Sequence, residues 1–171
     1  MSATVHVCPM TQVEATVSQS GARRLVSLLS AGTAFARPAA ISPENHLLLT
    51  MNDILAAQED MTPPGRQHVE NLLAYAARWD QTTPLVINCF AGISRSTAAA
   101  YIMAAALMPH RREEDLAKEL RELSPSATPN LLLVGLADGI LGREGRMVAA
   151  IRGIGRGAEA YEGTPFALTI N

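Results

Sequence analysis

The sequence predicts an α/β fold, a mostly parallel central sheet flanked by helices on both faces with a Cys-x5-Arg loop at one edge. Three observations predict it. Short apolar runs at Val5–Cys8, His46–Met51 and Leu85–Ile87 alternate with longer segments whose apolar residues recur at helical spacing. Each run stops at a residue that favours a loop: Pro9, Asn52 or Asn88. No internal repeat, heptad array or low-complexity tract competes with that alternation. At 171 residues the chain suits one domain with its own core. The expected domain spans 1–171, with a tail from about Gly157 that packs loosely or forms a short edge strand.

Taken in order, Val5–Cys8 is the first strand, closed by Pro9. Thr11 is placed to cap a helical segment through Val17, and Arg23–Leu29 ("RRLVSLL") reads as a second helical segment ending near Gly32. Residues 33–45, with Pro38 and Pro43, form a connector carrying a short strand near Ala39–Ile41. "HLLLTM" is a buried strand, and "NDILAAQEDMTPPG" after it is a loop or a broken helix. From Arg66 to Trp79, Val69, Leu72, Leu73, Ala76 and Ala77 lie on one helical face. Leu85–Ile87 is the next strand, and Ser96–Leu107 has the small, apolar composition of a helix buried on most sides. "RREEDLAKELREL" is amphipathic, with Leu116, Leu120 and Leu123 inward. Ser124–Thr128 is a turn, Pro129 starts a helix running to about Gly142, and the helix restarts from Arg143 to Ile154.

Composition excludes several function classes. The formal net charge is −2, so no global basic field attracts nucleic acid or an anionic membrane. The longest apolar run, Ala98–Met108, is too short to cross a bilayer, and the first residues lack the pattern of a signal peptide. The two cysteines, Cys8 and Cys89, do not make a disulfide scaffold, and a cytoplasmic protein with both thiols reduced is expected. His6, His46, His68 and His110 are scattered without metal-ligand spacing. Trp79 reads as a core anchor, Cys8 as a small buried hydrophobe, and Arg143, Arg146, Arg152 and Arg156 as an exposed helix face.

The stretch "PLVINCFAGISRSTAAAYI" carries the chemistry. A strand ends at Cys89, five residues follow (Phe90, Ala91, Gly92, Ile93 and Ser94), and Arg95 opens a helix. If that loop curls, its backbone N–H groups point inward and the helix N-terminus adds partial positive charge. Gly92 permits a backbone angle that residues with a Cβ resist. Arg95 can fold a planar guanidinium back onto two oxygens of a tetrahedral anion such as phosphate, arsenate or sulfate. Cys89 lies at the floor of this cradle, where the converging N–H groups favour a thiolate placed for in-line attack on phosphorus. Ser96 is positioned to hydrogen-bond the sulfur and ease its departure.

"CFAGISRST" resembles the signature loop of cysteine-dependent protein tyrosine phosphatases, particularly the dual-specificity-like branch in its bacterial form. The similarity is strong over about Leu47–Met108 and thin outside it. It implies a phosphocysteine mechanism without metal or other cofactor. In that mechanism Cys89 is the nucleophile, Arg95 the phosphate clamp, and Ser96 the group that assists thiolate release. One position departs from the family, which usually has histidine before the cysteine; here it is Asn88. Low-molecular-weight tyrosine phosphatases and arsenate reductases carry the loop near the N-terminus, and rhodanese-like sulfur transferases do not run into Ser-Arg-Ser-Thr, so the order of parts favours the dual-specificity-like branch.

That branch takes its general acid from an aspartate on a loop after the strand beside the cysteine strand. Asp53 fits, following "HLLLTM" by two residues, with Asp60 and then Glu59 as alternatives on the same loop. The implied activity is hydrolysis of phosphomonoesters, on a phosphorylated protein or a small phosphomonoester. Phosphate or sulfate would occupy the cradle, and neither nucleic acid nor membrane is a partner. Two other readings stand beside it: a phosphate-binding module with little or no catalysis, and a phosphatase of a non-protein substrate such as a phosphoinositide or a nucleotide.

Overall fold

Five strands, β1 (Ala3–Pro9), β2 (Arg24–Leu29), β3 (His46–Thr50), β4 (Leu85–Cys89) and β5 (Phe166–Ile170), form one sheet in the spatial order β3-β2-β4-β1-β5. This computed structural model describes residues 2–171. The first four strands are parallel: Leu25 pairs with His46, Ser27 with Asn88, and Pro9 with Cys89. β5 runs antiparallel to β1 and closes that edge, from Ala3↔Ile170 to Val7↔Phe166. The α/β expectation therefore holds, and of the two outcomes foreseen for the tail its last residues take the edge strand.

β2 is a correction. The segment Arg23–Leu29, expected to be helical, is a strand one place from the centre of the sheet. Its residues Leu25 to Leu29 are all buried, because helices or loops cover both faces. A strand buried on both faces reads as a continuous apolar run without period-2 alternation, and such a run does not distinguish strand from helix. The correction moves another element: β3 is not beside β4 but one strand further out, with β2 between them. The strand expected near Ala39–Ile41 is also absent. Those residues form a turn in which Ile41 N–H donates to Pro38 O, and Ile41 itself is buried.

The sheet divides the core in two. On one face α1 (Val13–Ser20) and the 33–45 connector cover Cys8, Leu25 and Val86. On the other face lie α2 (Arg66–Arg78), α3 (Arg95–Leu107), α4 (Glu113–Leu123), α5 (Leu131–Leu141) and α6 (Arg146–Ile154). α3 is buried from Arg95 to Ala105, as its all-round small and apolar composition requires. Trp79 is an anchor at the end of α2, its Nε1–H donating to Thr83 O at 3.0 Å. Side chains of β4 alternate across the sheet, so Leu85, Ile87 and Cys89 face α3 whereas Val86 and Asn88 face α1. Thr11 does not cap a helix; it lies in a 3-10 turn ahead of α1 and donates its hydroxyl to Glu162.

The helix restart has a specific cause. Asp138, on the last turns of α5, is 4% exposed and accepts from Gly145 N and Met147 N at 2.7 and 2.8 Å, and from Val148 N at 3.3 Å. A side chain of one helix thus satisfies the free N–H groups that open the next. Arg143 is not on an exposed face as expected. It donates to Ala105 O and pairs with Glu113 at 3.0 Å, both side chains being 12% exposed, so a charge read as solvated ties α3, α4 and the α5–α6 turn together. Asp138→Ala leaves three helix-opening donors unpartnered and is expected to lower stability by about 2 kcal/mol or more. The check is a lower denaturant midpoint at unchanged denaturant slope.

Candidate active site

Cys89 ends β4 at 3% exposure. Its Sγ lies 3.1 Å from Ser96 Oγ and accepts from Gly92 N–H at 3.2 Å. The loop from Phe90 to Ser94 turns its carbonyls away from the sulfur. Phe90 O accepts from Met10 N, Ala91 O from Gly163 N, and Ile93 O from Thr128 N and Thr97 Oγ1. Ser94 O takes Asn130 N, Ala98 N and Thr97 Oγ1. With the carbonyls engaged outside, the peptide N–H groups are left to the concave side, and Gly92 N–H already points at the sulfur. The 13-residue helix α3 starts at Arg95 and adds its positive N-terminal end.

Gly92 allows this curl. Its φ is +70°, and a Cβ there would stand 2.6 Å from Pro9 N and 2.9 Å from Cys8 C. The loop is thus pressed against the end of β1. From outside, the chain near Gly163 crosses it: Gly163 N donates to Ala91 O at 2.8 Å, and a Cβ on Gly163 would meet Gly92 O at 2.5 Å.

Arg95 is 7% exposed. One terminal nitrogen, Nη1, donates to Met51 O at 2.9 Å and Ser30 Oγ at 3.2 Å, so the ends of β3 and β2 aim it. Its buried Nε has no hydrogen-bond partner, and it makes no ion pair among the described residues.

Asp53, on the loop after β3, is brought to the same place although β2 separates its strand from β4. All three strands are parallel, so their carboxyl ends share one edge. Asp53 Oδ1 accepts from Ser94 Oγ at 2.8 Å and from Asn130 Nδ2 at 2.9 Å. Both bonds fall on one oxygen. Asp60 and Glu59 are exposed further along that loop, and Asp60 has a φ of 59°. A recess of about 660 Å³ opens beside the cradle, lined by Asp53, Ile93, Ser94, Thr128, Arg156 and Tyr161 among others; neither Asp60 nor Glu59 lines it.

Asn130 escaped the sequence reading. Pro129 was expected to start the helix, but Asn130 is the N-cap, its Oδ1 accepting from Leu133 N at 3.0 Å. Its Nδ2 then holds Asp53 Oδ1 and Ile54 O. The cap was legible, since asparagine before an apolar helical run is a strong N-cap signal. The reach to Asp53, across 77 positions, was not.

Cys8 stands on the face opposite the Cys89 thiol, its register partner being Asn88, and both cysteines are free. Burial pushes the Cys8 thiol up to about 11, a hydrogen bond with Thr16 works against the rise, and Cys89 adds to it. The described residues contain no cluster of three or more His, Cys, Asp or Glu side chains that could hold a metal, and no helix long and apolar enough to cross a membrane.

No protein-family model matches the sequence, and no curated protein matches it by sequence. Solved structures do match by shape. The PTP-2 phosphatase of Cydia pomonella aligns with a TM-score of 0.61 at 19% identity, covering 79% of this chain and 84% of that one. DUSP15 aligns at 0.60 and 13% identity over 88% and 89% of the two chains. Human DUSP28 aligns at 0.57 and 19% identity over 81% and 94%. The fold is that of the dual-specificity and protein tyrosine phosphatases.

Gly92→Ala is expected to strain the loop by about 1–3 kcal/mol and to push it off β1. Tungstate affinity, measured by calorimetry, should fall at least about tenfold while the circular dichroism spectrum stays that of the wild type.

Proposed function

We propose that this protein is a phosphomonoester hydrolase of the protein tyrosine phosphatase type, working through a phosphocysteine intermediate. The observation that carries the reading is Arg95. A guanidinium withdrawn from water without a carboxylate partner, and with an unpartnered Nε–H, costs several kcal/mol unless an anion enters to compensate it. In this reading the loop N–H groups, the end of α3 and this cation converge on a phosphoryl dianion bound above the Cys89 thiol.

The chemistry follows from the atoms. The Cys89 thiolate attacks phosphorus in line, the phosphorus–oxygen bond to the leaving group breaks, and the Asp53 carboxyl group gives its proton to the departing oxygen. Oδ1 is held by Ser94 and Asn130, which leaves Oδ2 to carry that proton. Water then attacks the phosphocysteine, Asp53 takes its proton, and the phosphorus–sulfur bond breaks. The thiolate returns to the hydroxyl of Ser96 and the N–H of Gly92. Arg95 holds the equatorial phosphoryl oxygens through both steps. Phosphorylated proteins and small phosphomonoesters are the substrates this site would take.

Hydrolysis of p-nitrophenyl phosphate and of a phosphotyrosine peptide, without added metal, tests the assignment. Wild type should turn over, Cys89→Ser should not, and Asp53→Ala should lose about 10²–10⁴ in kcat on the peptide, whereas Asp60→Ala stays near wild type. Turnover by Cys89→Ser removes the mechanism. Full activity in Asp53→Ala with loss in Asp60→Ala moves the acid to Asp60. Tungstate binding by a folded wild type that turns over neither substrate marks a binding module instead.

A further inference from the structure

Asn88 occupies the position where the resembled family carries histidine, and its side chain is fully buried. The fold supplies a histidine from elsewhere. Asn88 Oδ1 accepts from Ser27 Oγ at 2.6 Å, and Ser27 Oγ lies 3.0 Å from His46 Nε2. In the other direction, Asn88 Nδ2 donates to Cys89 O at 3.3 Å. The three side chains come from three adjacent strands, β4, β2 and β3, and run along the sheet face opposite the Cys89 thiol.

The direction of each proton follows from valence. The Cys89 carbonyl only accepts, so Asn88 turns its amide NH2 toward it and its Oδ1 toward Ser27. That Oδ1 also only accepts, which commits the single hydroxyl proton of Ser27. Ser27 Oγ must then accept from His46, so Nε2 carries a proton in the neutral ring as it does in the imidazolium. His46 is a donor in either state. Burial, and then the charge of Arg37, lower its pKa. Phe35, tilted against the ring at 5.8 Å between centroids, limits how the imidazole can turn.

We infer that His46 is a positioning residue for Cys89, acting through Ser27 and Asn88 on the carbonyl at which β4 ends and the loop begins; its kinetic consequence rests on the phosphatase reading. The carbonyl orientation of Cys89 sets the Cys89–Phe90 peptide plane. Everything downstream inherits that plane, including the Gly92 N–H at 3.2 Å from Sγ and the 3.1 Å contact with Ser96. A histidine two strands away thus reaches, through two side chains, the carbonyl that follows Asn88.

Alkylation of Cys89 by iodoacetamide, followed against pH by peptide mass mapping on the full chain, reads the thiolate without turnover. The charged and titratable groups around Cys89 are Arg95 in its own loop, Asp53 held on Ser94, and Cys8 across the sheet; Arg37 is the charge beside His46. The variants leave all of them in place, and Cys8, pushed up to about 11, does not compete for reagent near neutral pH. His46→Leu and Ser27→Ala should raise the alkylation midpoint by about half a unit to one unit, the loss of one hydrogen bond, with kcat down about three- to tenfold and KM little changed. His46→Gln, whose amide N–H2 reaches the place of Nε2, should keep the wild-type midpoint. Wild-type midpoints in folded His46→Leu and Ser27→Ala overturn the inference, as does a His46→Gln midpoint raised as far as that of His46→Leu. Should Ser27→Ala not fold, the two substitutions at the half-buried His46 decide by themselves. A wild type that hydrolyses no phosphate ester defeats the phosphatase reading alone, because the alkylation comparison still stands.

Discussion

The buried guanidinium of Arg95 is the constraint around which the rest of the structure is arranged. It is 7% exposed, and among the described residues no acidic partner offsets its desolvation. Such a group is held only where other interactions over-determine its place. Here α3 fixes its backbone inside the core, while Met51 O and Ser30 Oγ orient one terminal nitrogen. The surrounding core thereby holds a cation whose Nε–H has no partner among the described residues. A molecule selected for stability alone would replace that arrangement with a hydrophobic side chain.

Parallel strands make the arrangement possible. The carboxyl ends of β2, β3 and β4 lie on one edge, and each delivers part of the site: Ser30, Met51 with Asp53, and Cys89. Two later segments lock the loop from outside. Asn130 joins the start of α5 to both Asp53 and Ser94, and the chain near Gly163 closes over Ala91 and Gly92 so tightly that Gly163 has no room for a Cβ. The return of the tail to β1 as β5 is what carries that closing segment past the loop.

Much of this was legible in the sequence, and the omissions share a physical origin. The strand, loop and helix around Cys89 could be read because their signals are local: an apolar run, a glycine, an arginine and a small-residue helix within twenty positions or so. The helices at Arg66–Arg78 and Glu113–Leu123 were equally plain from spacing and charge. β2 was missed because a strand covered on both faces loses the alternation that would mark it. That single error also hid the order of the strands, so the strand before Asp53 was taken to lie beside β4 when β2 separates the two. Asn130, Arg143 and Ser27 act over long separations, and each reads as an ordinary cap, surface charge or core hydroxyl until the sheet order and helix packing are known.

Once the order is known, β2 and β3 prove to hold the loop at both ends. β2 contributes Ser27 below the sheet and Ser30 at its edge, and β3 contributes His46 at its start with Met51 just beyond its end. Ser27 and His46 reach the beginning of the loop through Asn88, and Ser30 and Met51 reach its end through Arg95. Two neighbouring strands therefore form a bracket whose jaws grip Cys89 and Arg95, the residues whose separation matters most to the proposed in-line chemistry. This explains how a loop whose five residues between them carry no charge at all can keep a thiol and a guanidinium in register. The geometry is imposed by the sheet, and the loop needs only to be small enough to bend and to present its backbone.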